Sequence, residues 1–136
     1  MFKVNLKTLK SEKIISQNTT ETSPISVYSF ALDKHDNVYV ATNKGLKKYD
    51  YNTKSLRPVK FSGKNGFKTI EDPARTIIKD KNNIIWLGTF NGMLYRIEET
   101  DEFNEEFNIE SFKISNNIIF SMISLSDGTL MIGTEN

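Results

Sequence analysis

The chain contains no cysteine, which excludes disulfide cross-links, thiolate metal sites and cysteine nucleophiles without fixing a compartment. Long apolar runs are missing as well. Ile84-Ile85-Trp86-Leu87 is among the longest, strand-sized and far short of the roughly 20 residues that a membrane helix needs. Met1-Phe2-Lys3-Val4-Asn5-Leu6-Lys7 lacks the apolar stretch of a secretory signal, so an exported parent would carry its signal outside this chain. Nor is there a surplus of charge. The 18 basic and 17 acidic residues leave +1, whereas nucleic acid and anionic membranes are bound by dense basic faces. No nucleic-acid partner and no membrane contact by this segment are expected. There is one histidine, His35, and no Ser-His-Asp, His-Glu-Xaa-Xaa-His, P-loop or paired-carboxylate pattern. The sequence offers no catalytic residue, no metal ligand set and no cofactor motif, so the chain reads as a binding protein rather than an enzyme.

What the sequence does contain is a repeat. Its composition, 38% hydrophobic and 26% charged over 136 residues, suits one globular domain with a single core. Asp33-Lys34-His35-Asp36-Asn37-Val38-Tyr39-Val40-Ala41-Thr42 aligns with Asp80-Lys81-Asn82-Asn83-Ile84-Ile85-Trp86-Leu87-Gly88-Thr89, position by position, at an offset of 47 residues. A third copy, Ser126-Asp127-Gly128-Thr129-Leu130-Met131-Ile132-Gly133-Thr134, ends 45 residues beyond Thr89. Near-constant spacing of this kind marks a repeat architecture.

Each copy reads as strands. Val27-Tyr28-Ser29-Phe30-Ala31-Leu32, Arg75-Thr76-Ile77-Ile78-Lys79 and Ile119-Phe120-Ser121-Met122-Ile123-Ser124 are short runs rich in β-branched and aromatic residues. Polar turns at 33–37, 80–83 and 126–128 separate them from a second strand in each copy, and Asp, Asn and Gly tolerate the backbone angles of hairpin turns. A third strand follows Gly45 as Leu46-Lys47-Lys48-Tyr49-Asp50, and Gly92 as Met93-Leu94-Tyr95-Arg96-Ile97-Glu98, with the register between the two open by one residue. The fourth is Arg57-Pro58-Val59-Lys60-Phe61 or Phe107-Asn108-Ile109-Glu110-Ser111-Phe112, and Pro58 places it at a sheet edge, because proline donates nothing to a ladder. With the strands labelled A to D, Met1-Phe2-Lys3-Val4-Asn5-Leu6-Lys7-Thr8 matches the C strand from Leu46 at an offset of 45 and leads to a D strand near Lys13-Ile14-Ile15.

The expected order is therefore CD-ABCD-ABCD-AB. Residues 1–17 form strands C and D of a split blade, 25–62 and 74–113 form whole blades, and 117–136 form strands A and B, all in one segment spanning 1–136. Four antiparallel strands per repeat of about 45 residues is the arithmetic of a β-propeller blade, so the fold class is all-β. The sequence Ile85-Trp86-Leu87-Gly88-Thr89 through Asn91-Gly92, preceded by Asp80, resembles the two-component regulator propeller repeat. Val40-Ala41-Thr42 through Gly45-Leu46-Lys47-Lys48-Tyr49-Asp50 resembles it next best. The resemblance covers nearly the whole chain. It implies part of the extracytoplasmic, periplasmic sensor of a bacterial hybrid regulator, often one concerned with polysaccharide breakdown products. No kinase, DNA-binding or membrane segment accompanies the repeats.

Binding residues are expected on the rim formed by the D–A and B–C connections, since long non-repeating insertions concentrate on one face. The connection Ser62-Gly63-Lys64-Asn65-Gly66-Phe67-Lys68-Thr69-Ile70-Glu71-Asp72-Pro73 is the longest. Arg75 follows it, where Tyr28 and Phe120 stand in the other copies, and either clamps a ligand carboxylate or pairs with Asp72 or Glu71. Phe90 occupies a B–C turn where Asn43 and Glu135 are its equivalents, so it lies outside the repeating core and is free to stack on a ligand. Asn43, Lys44, Asn91 and Asp72 complete the candidate set. His35 reads as a turn residue, and Asp33, Asp36 and Asn37 are too closely spaced for a calcium loop. Trp86, whose equivalents are Tyr39 and Met131, reads as packing between blades rather than a sugar platform. The acidic run from Glu98 to Glu106, around Phe103, reads as a solvated loop.

Two functions follow as expectations: a ligand-sensing segment, with an oligosaccharide or other small molecule as partner, and an assembly module that binds protein. Three blades are too few for a ring, which generally needs about four to eight. Either two copies join head to tail into a six-bladed ring, or the chain is part of a longer tandem array.

Overall fold

The computed structural model describes residues 1–16, 24–63, 66–101 and 106–135. Gln17, Lys64, Asn65, Phe103 and Asn136, which fall in the segments named above, lie outside the described residues. Among the described residues every regular element is a strand, and no helix is long and apolar enough to cross a membrane. In chain order they are β1 (Phe2–Val4), β2 (Ser11–Lys13), β3 (Ile15–Ser16), β4 (Val27–Leu32), β5 (Val38–Thr42), β6 (Gly45–Asp50), β7 (Ser55–Pro58) and β8 (Phe61–Gly63). There follow β9 (Gly66–Lys68), β10 (Ala74–Lys79), β11 (Ile85–Thr89), β12 (Met93–Asp101), β13 (Glu106–Lys113), β14 (Ile119–Ser124) and β15 (Leu130–Thr134).

Antiparallel β4-β5-β6-β7 makes a first blade-like sheet and β10-β11-β12-β13 a second, while the β14–β15 hairpin starts a third. The β1–β2 hairpin stands as a separate pair of strands.

The repeat is visible in the backbone, turn by turn. In the A–B turns, the Asp33 carboxylate accepts the backbone N–H groups of His35 and Asn37 at 2.8 and 2.9 Å. Asp80 accepts those of Asn82 and Ile84 at 2.8 and 3.0 Å. The third copy has Leu125 at this place, and Asp127 accepts the Thr129 N–H instead. All three turns use a left-handed residue at the same position, Asp36, Asn83 and Gly128, with φ of 60°, 62° and 91°; short polar residues and glycine tolerate this region best. The C–D turns after β1 and β6 also match. Asn5 and Asp50 each accept two backbone N–H groups, from Lys7 and Thr8 and from Asn52 and Thr53. Leu9 and Lys54 then take φ of 55° and 53°.

Gly45 and Gly92 close the B–C turns at φ of 78° and 76°. A Cβ on Gly45 would stand 1.9 Å from the Ile70 carbonyl oxygen, and one on Gly92 would stand 2.2 Å from that of Ser115. Glycine is needed here because the incoming D–A connection passes directly over the turn, where the Leu46 N–H donates to Ile70 at 3.0 Å. Thr42 and Thr89 brace the same turns by donating their hydroxyls to the Gly45 and Met93 carbonyls at 2.7 and 2.9 Å.

Several expected boundaries shift. Tyr39 faces Lys48, but Trp86 faces Arg96, so the second B–C turn holds one extra residue and the C strands align at an offset of 48. The first D strand is Ser55–Pro58, earlier than expected, and the N-terminal one is Ser11–Lys13. Ile15–Ser16 pairs in parallel outside Ser55 and Leu56, so the first D strand, expected at the sheet edge, has a neighbour along its first two residues. The long D–A connection is not a plain loop: β8 and β9 form a hairpin that packs against β13. The described part of the acidic run is likewise strand. Glu98 and Glu99 pair with Asn108 and Phe107, and Asp101 pairs with Glu106.

The sheets stack face to face. β10 packs on β4 and β5, and β14 packs on β10 and β11. Tyr39, Ala41 and Leu46 of the first sheet meet Ile77, Ile85, Leu87 and Ile97 of the second in one buried cluster, each full-sized apolar side chain adding roughly 1.5–3 kcal/mol. Gly88 is kept small by the third sheet, since a Cβ there would stand 2.5 Å from Ile119 Cγ2. On its other face the first sheet buries Val40, Tyr49 and Leu56 against Ile14.

Candidate functional site

The first strand of each sheet, β4, β10 and β14, shares an irregularity that the alignment alone did not disclose. In β4 the pairing passes from Val27 to Ser29, in β10 from Ala74 to Thr76, and in β14 from Ile119 to Ser121. The residues passed over are Tyr28, Arg75 and Phe120. A β-bulge leaves one residue outside the ladder and turns its side chain away from the regular alternation. Three bulges at one repeat position bring these three side chains together. The Arg75 guanidinium carbon lies 5.5 Å from the centre of the Tyr28 ring and 5.6 Å from that of Phe120. Each such cation–π contact contributes about 0.5–1 kcal/mol when exposed and about 2 when desolvated. Tyr28 is 39% and Phe120 42% exposed, so the cluster opens to solvent.

Phe90 joins this cluster, its ring edge-on to Tyr28 with centroids 5.2 Å apart. A hydrogen bond found in every copy places it there. The residue after the B-strand threonine donates its N–H to the carbonyl just before the inner strand: Asn43 to Ser26 at 3.1 Å, Phe90 to Pro73 at 2.9 Å and Glu135 to Ile118 at 3.2 Å. The B–C turn is thereby fastened beside the bulge.

Among the described residues no carboxylate or carbonyl takes up the guanidinium N–H groups of Arg75. The expected pairing with Asp72 or Glu71 does not form. Asp72 instead accepts the Tyr95 hydroxyl at 2.5 Å, and Glu71 accepts the Thr69 hydroxyl at 3.1 Å. Burial first, then the hydrogen bond to Asp72, holds the Tyr95 phenol well above the ordinary tyrosine range. The remaining expected site residues serve the turns. Asn43 accepts the Ser26 N–H at 2.8 Å and donates to the Pro24 carbonyl. The Asn91 side-chain oxygen lies 2.5 Å from the Thr89 hydroxyl and shares its proton with the Met93 carbonyl, while the Asn91 carbonyl accepts the Lys113 ammonium. The Lys44 N–H donates to the Thr42 hydroxyl at 3.0 Å.

Of the candidates, the structure thus groups Arg75 with Phe90, through Tyr28, while the side chains of Asp72, Asn43 and Asn91 and the backbone N–H of Lys44 make the hydrogen bonds just described. Tyr28 and Phe120 were missed as site members. Their only signal in the sequence was that they share Arg75's place in the repeat. Trp86 is half-buried, and its indole N–H donates to Asp80 at 2.9 Å. No group of three or more His, Cys, Asp or Glu side chains among the described residues is placed to hold a metal ion.

A second feature went unread in the sequence. Asp33, Tyr39, Ile85, Glu99 and Phe107 line a cleft between the first two sheets. Burial, and then the nearby Asp33 charge, raise the Glu99 carboxyl above its usual range. No protein-family model and no curated protein matches the sequence.

Proposed function

We propose that the chain is a β-propeller segment that binds a small ligand where its inner strands begin, as the sensor propellers of bacterial two-component regulators do. A periplasmic setting goes with that resemblance. Four antiparallel strands per repeat, stacked face to face with the A strands innermost, support the ring architecture. The observation that carries the binding role is the bulge cluster. Three repeats use the same irregularity to turn Tyr28, Arg75 and Phe120 out of their ladders beside Phe90.

Such a cluster combines aromatic rings, on which sugar rings stack, with a planar cation whose N–H fork suits a carboxylate or a set of hydroxyls. An oligosaccharide fits that chemistry. No catalytic step is assigned to these residues, because none of them is placed as a nucleophile with its base.

Calorimetric titration with neutral and acidic oligosaccharides tests the reading. Heat is expected with at least one saccharide and is lost in Arg75→Ala and Phe90→Ala, both retaining the wild-type β spectrum. A folded sample that binds no saccharide overturns it. The other reading, an assembly module, is favoured by a different feature, the exposed Phe30, Ile123 and Met131 side chains.

A further inference from the structure

We infer that the ligand of the bulge cluster carries a carboxylate, as a sugar acid does, and that Arg75 clamps it while Tyr95 holds Asp72 back from the same guanidinium. This rests on the binding role proposed above and names the class of ligand. Arg75 stands at a repeat position that the other two sheets fill with aromatic rings, Tyr28 and Phe120. A third ring would serve packing there; an arginine also brings a charge. Its surroundings are set by described residues on both sides, because the second sheet lies between β4 and β5 on one face and β14 on the other.

That charge has neighbours but no counter-ion among the described residues. The rings of Tyr28 and Phe120 lie 5.5 and 5.6 Å from the guanidinium carbon. A ring gives a cation its quadrupole and no lone pair, so the N–H donors of the guanidinium are left without acceptors. The two carboxylates nearest in sequence are engaged elsewhere. Glu71 accepts the Thr69 hydroxyl at 3.1 Å, and Asp72 accepts the Tyr95 hydroxyl at 2.5 Å, a short bond of the charge-assisted kind. Tyr95 belongs to β12, so the second sheet itself fixes Asp72 and acts, through Tyr95, as a positioning device for the clamp.

The backbone that carries the clamp is held as well. Ala74 and Thr76, on either side of Arg75, are buried, and the Phe90 N–H on the Pro73 carbonyl fastens the adjoining turn. A site built on such fixed elements loses little freedom when it binds. One guanidinium balances one negative charge, and its paired N–H groups match the two oxygens of a carboxylate. A neutral sugar could meet those N–H groups with hydroxyls but would leave the half-buried charge without a counter-ion, which is costly where water is partly excluded. Phe90 and Tyr28 supply aromatic surface for the rest of the sugar ring.

Calorimetric titration of the unaltered protein with oligomers of glucuronate, galacturonate and mannuronate, each beside its methyl ester, separates the charge from the sugar. At least one free acid should bind, with its ester weaker by about tenfold or more. Arg75→Lys keeps the charge and removes the fork, and should lose about tenfold for the same acid. Tyr95→Phe should weaken the acid severalfold by releasing Asp72 to compete, and adding Asp72→Asn should restore the affinity; a tyrosine that only packs would not be rescued in this way. An ester, a neutral oligosaccharide or a sulfated one that binds as tightly as the acid overturns the carboxylate clamp while the small-ligand reading stands. So does full affinity in Arg75→Lys. Absence of heat with every saccharide, charged or neutral, overturns both. Unchanged binding in Tyr95→Phe overturns the role given to Tyr95. The ester comparison needs no variant, so it decides the matter whatever a substitution does to folding.

Discussion

Two contacts between sheets can be compared residue by residue. Where the first sheet meets the second, the repeat position held by Tyr39 is 1% exposed, with Phe107 edge-on to its ring at 6.5 Å and the Lys48 ammonium 5.6 Å from the ring centre. Where the second meets the third, the same position is Trp86, half-buried and tied to Asp80. On the outer face of the third sheet it is Met131, 55% exposed. Among the described residues one position thus takes three environments according to how many strands stand opposite: four for Tyr39, two for Trp86, none for Met131. Large side chains in every copy report the place of a residue in the repeat. They do not report its burial, which depends on what faces it.

Alanine at these three places breaks the comparison most sharply. Tyr39→Ala removes a fully enclosed ring and is expected to cost about 3–5 kcal/mol in chemical denaturation. Trp86→Ala should cost about 1–3 kcal/mol, since part of the indole is already in water and the lost area is smaller. Met131→Ala should cost under about 1 kcal/mol, since much of its side chain is already in water. Equal losses at all three positions would mean that burial does not set the cost at this repeat position.

A pair of glycines sharpens the same contrast on a smaller scale. Gly45 and Gly128 both have positive φ, but Gly45 also abuts the Ile70 backbone, whereas nothing lies within 4 Å of a Cβ on Gly128. Gly128→Ala should therefore cost only the left-handed backbone term, about 1–2 kcal/mol. Gly45→Ala must also displace the D–A connection and should cost more than about 2 kcal/mol, again read from denaturation midpoints. Similar losses for the two variants would show that the close approach at Gly45 relaxes freely.

What the sequence disclosed follows from what repeats. Asp33 and Asp80, Thr42 and Thr89, and Gly45 and Gly92 each make their own turn, so strand order and most boundaries could be read from short-range chemistry. Elements whose stability comes from elsewhere could not. The β8–β9 hairpin contains Gly63, Gly66 and Lys68, a composition indistinguishable from a loop, and it rests on β13 of the next sheet. Glu98 and Glu99 look like solvated residues, yet cross-strand partners in β13 decide their conformation. The parallel strand β3 is two residues long, below the length at which any pattern exists. The site was half legible. Arg75 and Phe90 stood out as departures from the repeat, while the bulge that unites them with Tyr28 and Phe120 is a matter of register, which a single strand's sequence does not carry.

The smallest expected effect concerns the cleft between the first two sheets and its dependence on pH. Asp33 stands there with Glu99 from β12, whereas the corresponding residue of the third sheet is Leu125, which carries no charge. Burial and the Asp33 charge raise the Glu99 carboxyl above its ordinary range in the folded protein. A raised folded value means that the native state holds the proton more tightly than the unfolded chain. The favourable contribution is then fully present at acidic pH, below the unfolded value, and is lost as pH rises through the folded one. At neutral pH the ionised Glu99 consequently opposes folding. Glu99→Gln, which keeps the shape and removes the charge, should raise the melting temperature slightly at pH 7. The gain should shrink toward zero in acid, as pH falls through the range in which the folded protein's Glu99 takes up its proton. Paired thermal melts at the two pH values read this directly. A gain that persists unchanged in acid would assign the effect to packing or hydrogen bonding of the amide, and the carboxylate would then carry no cost in the cleft.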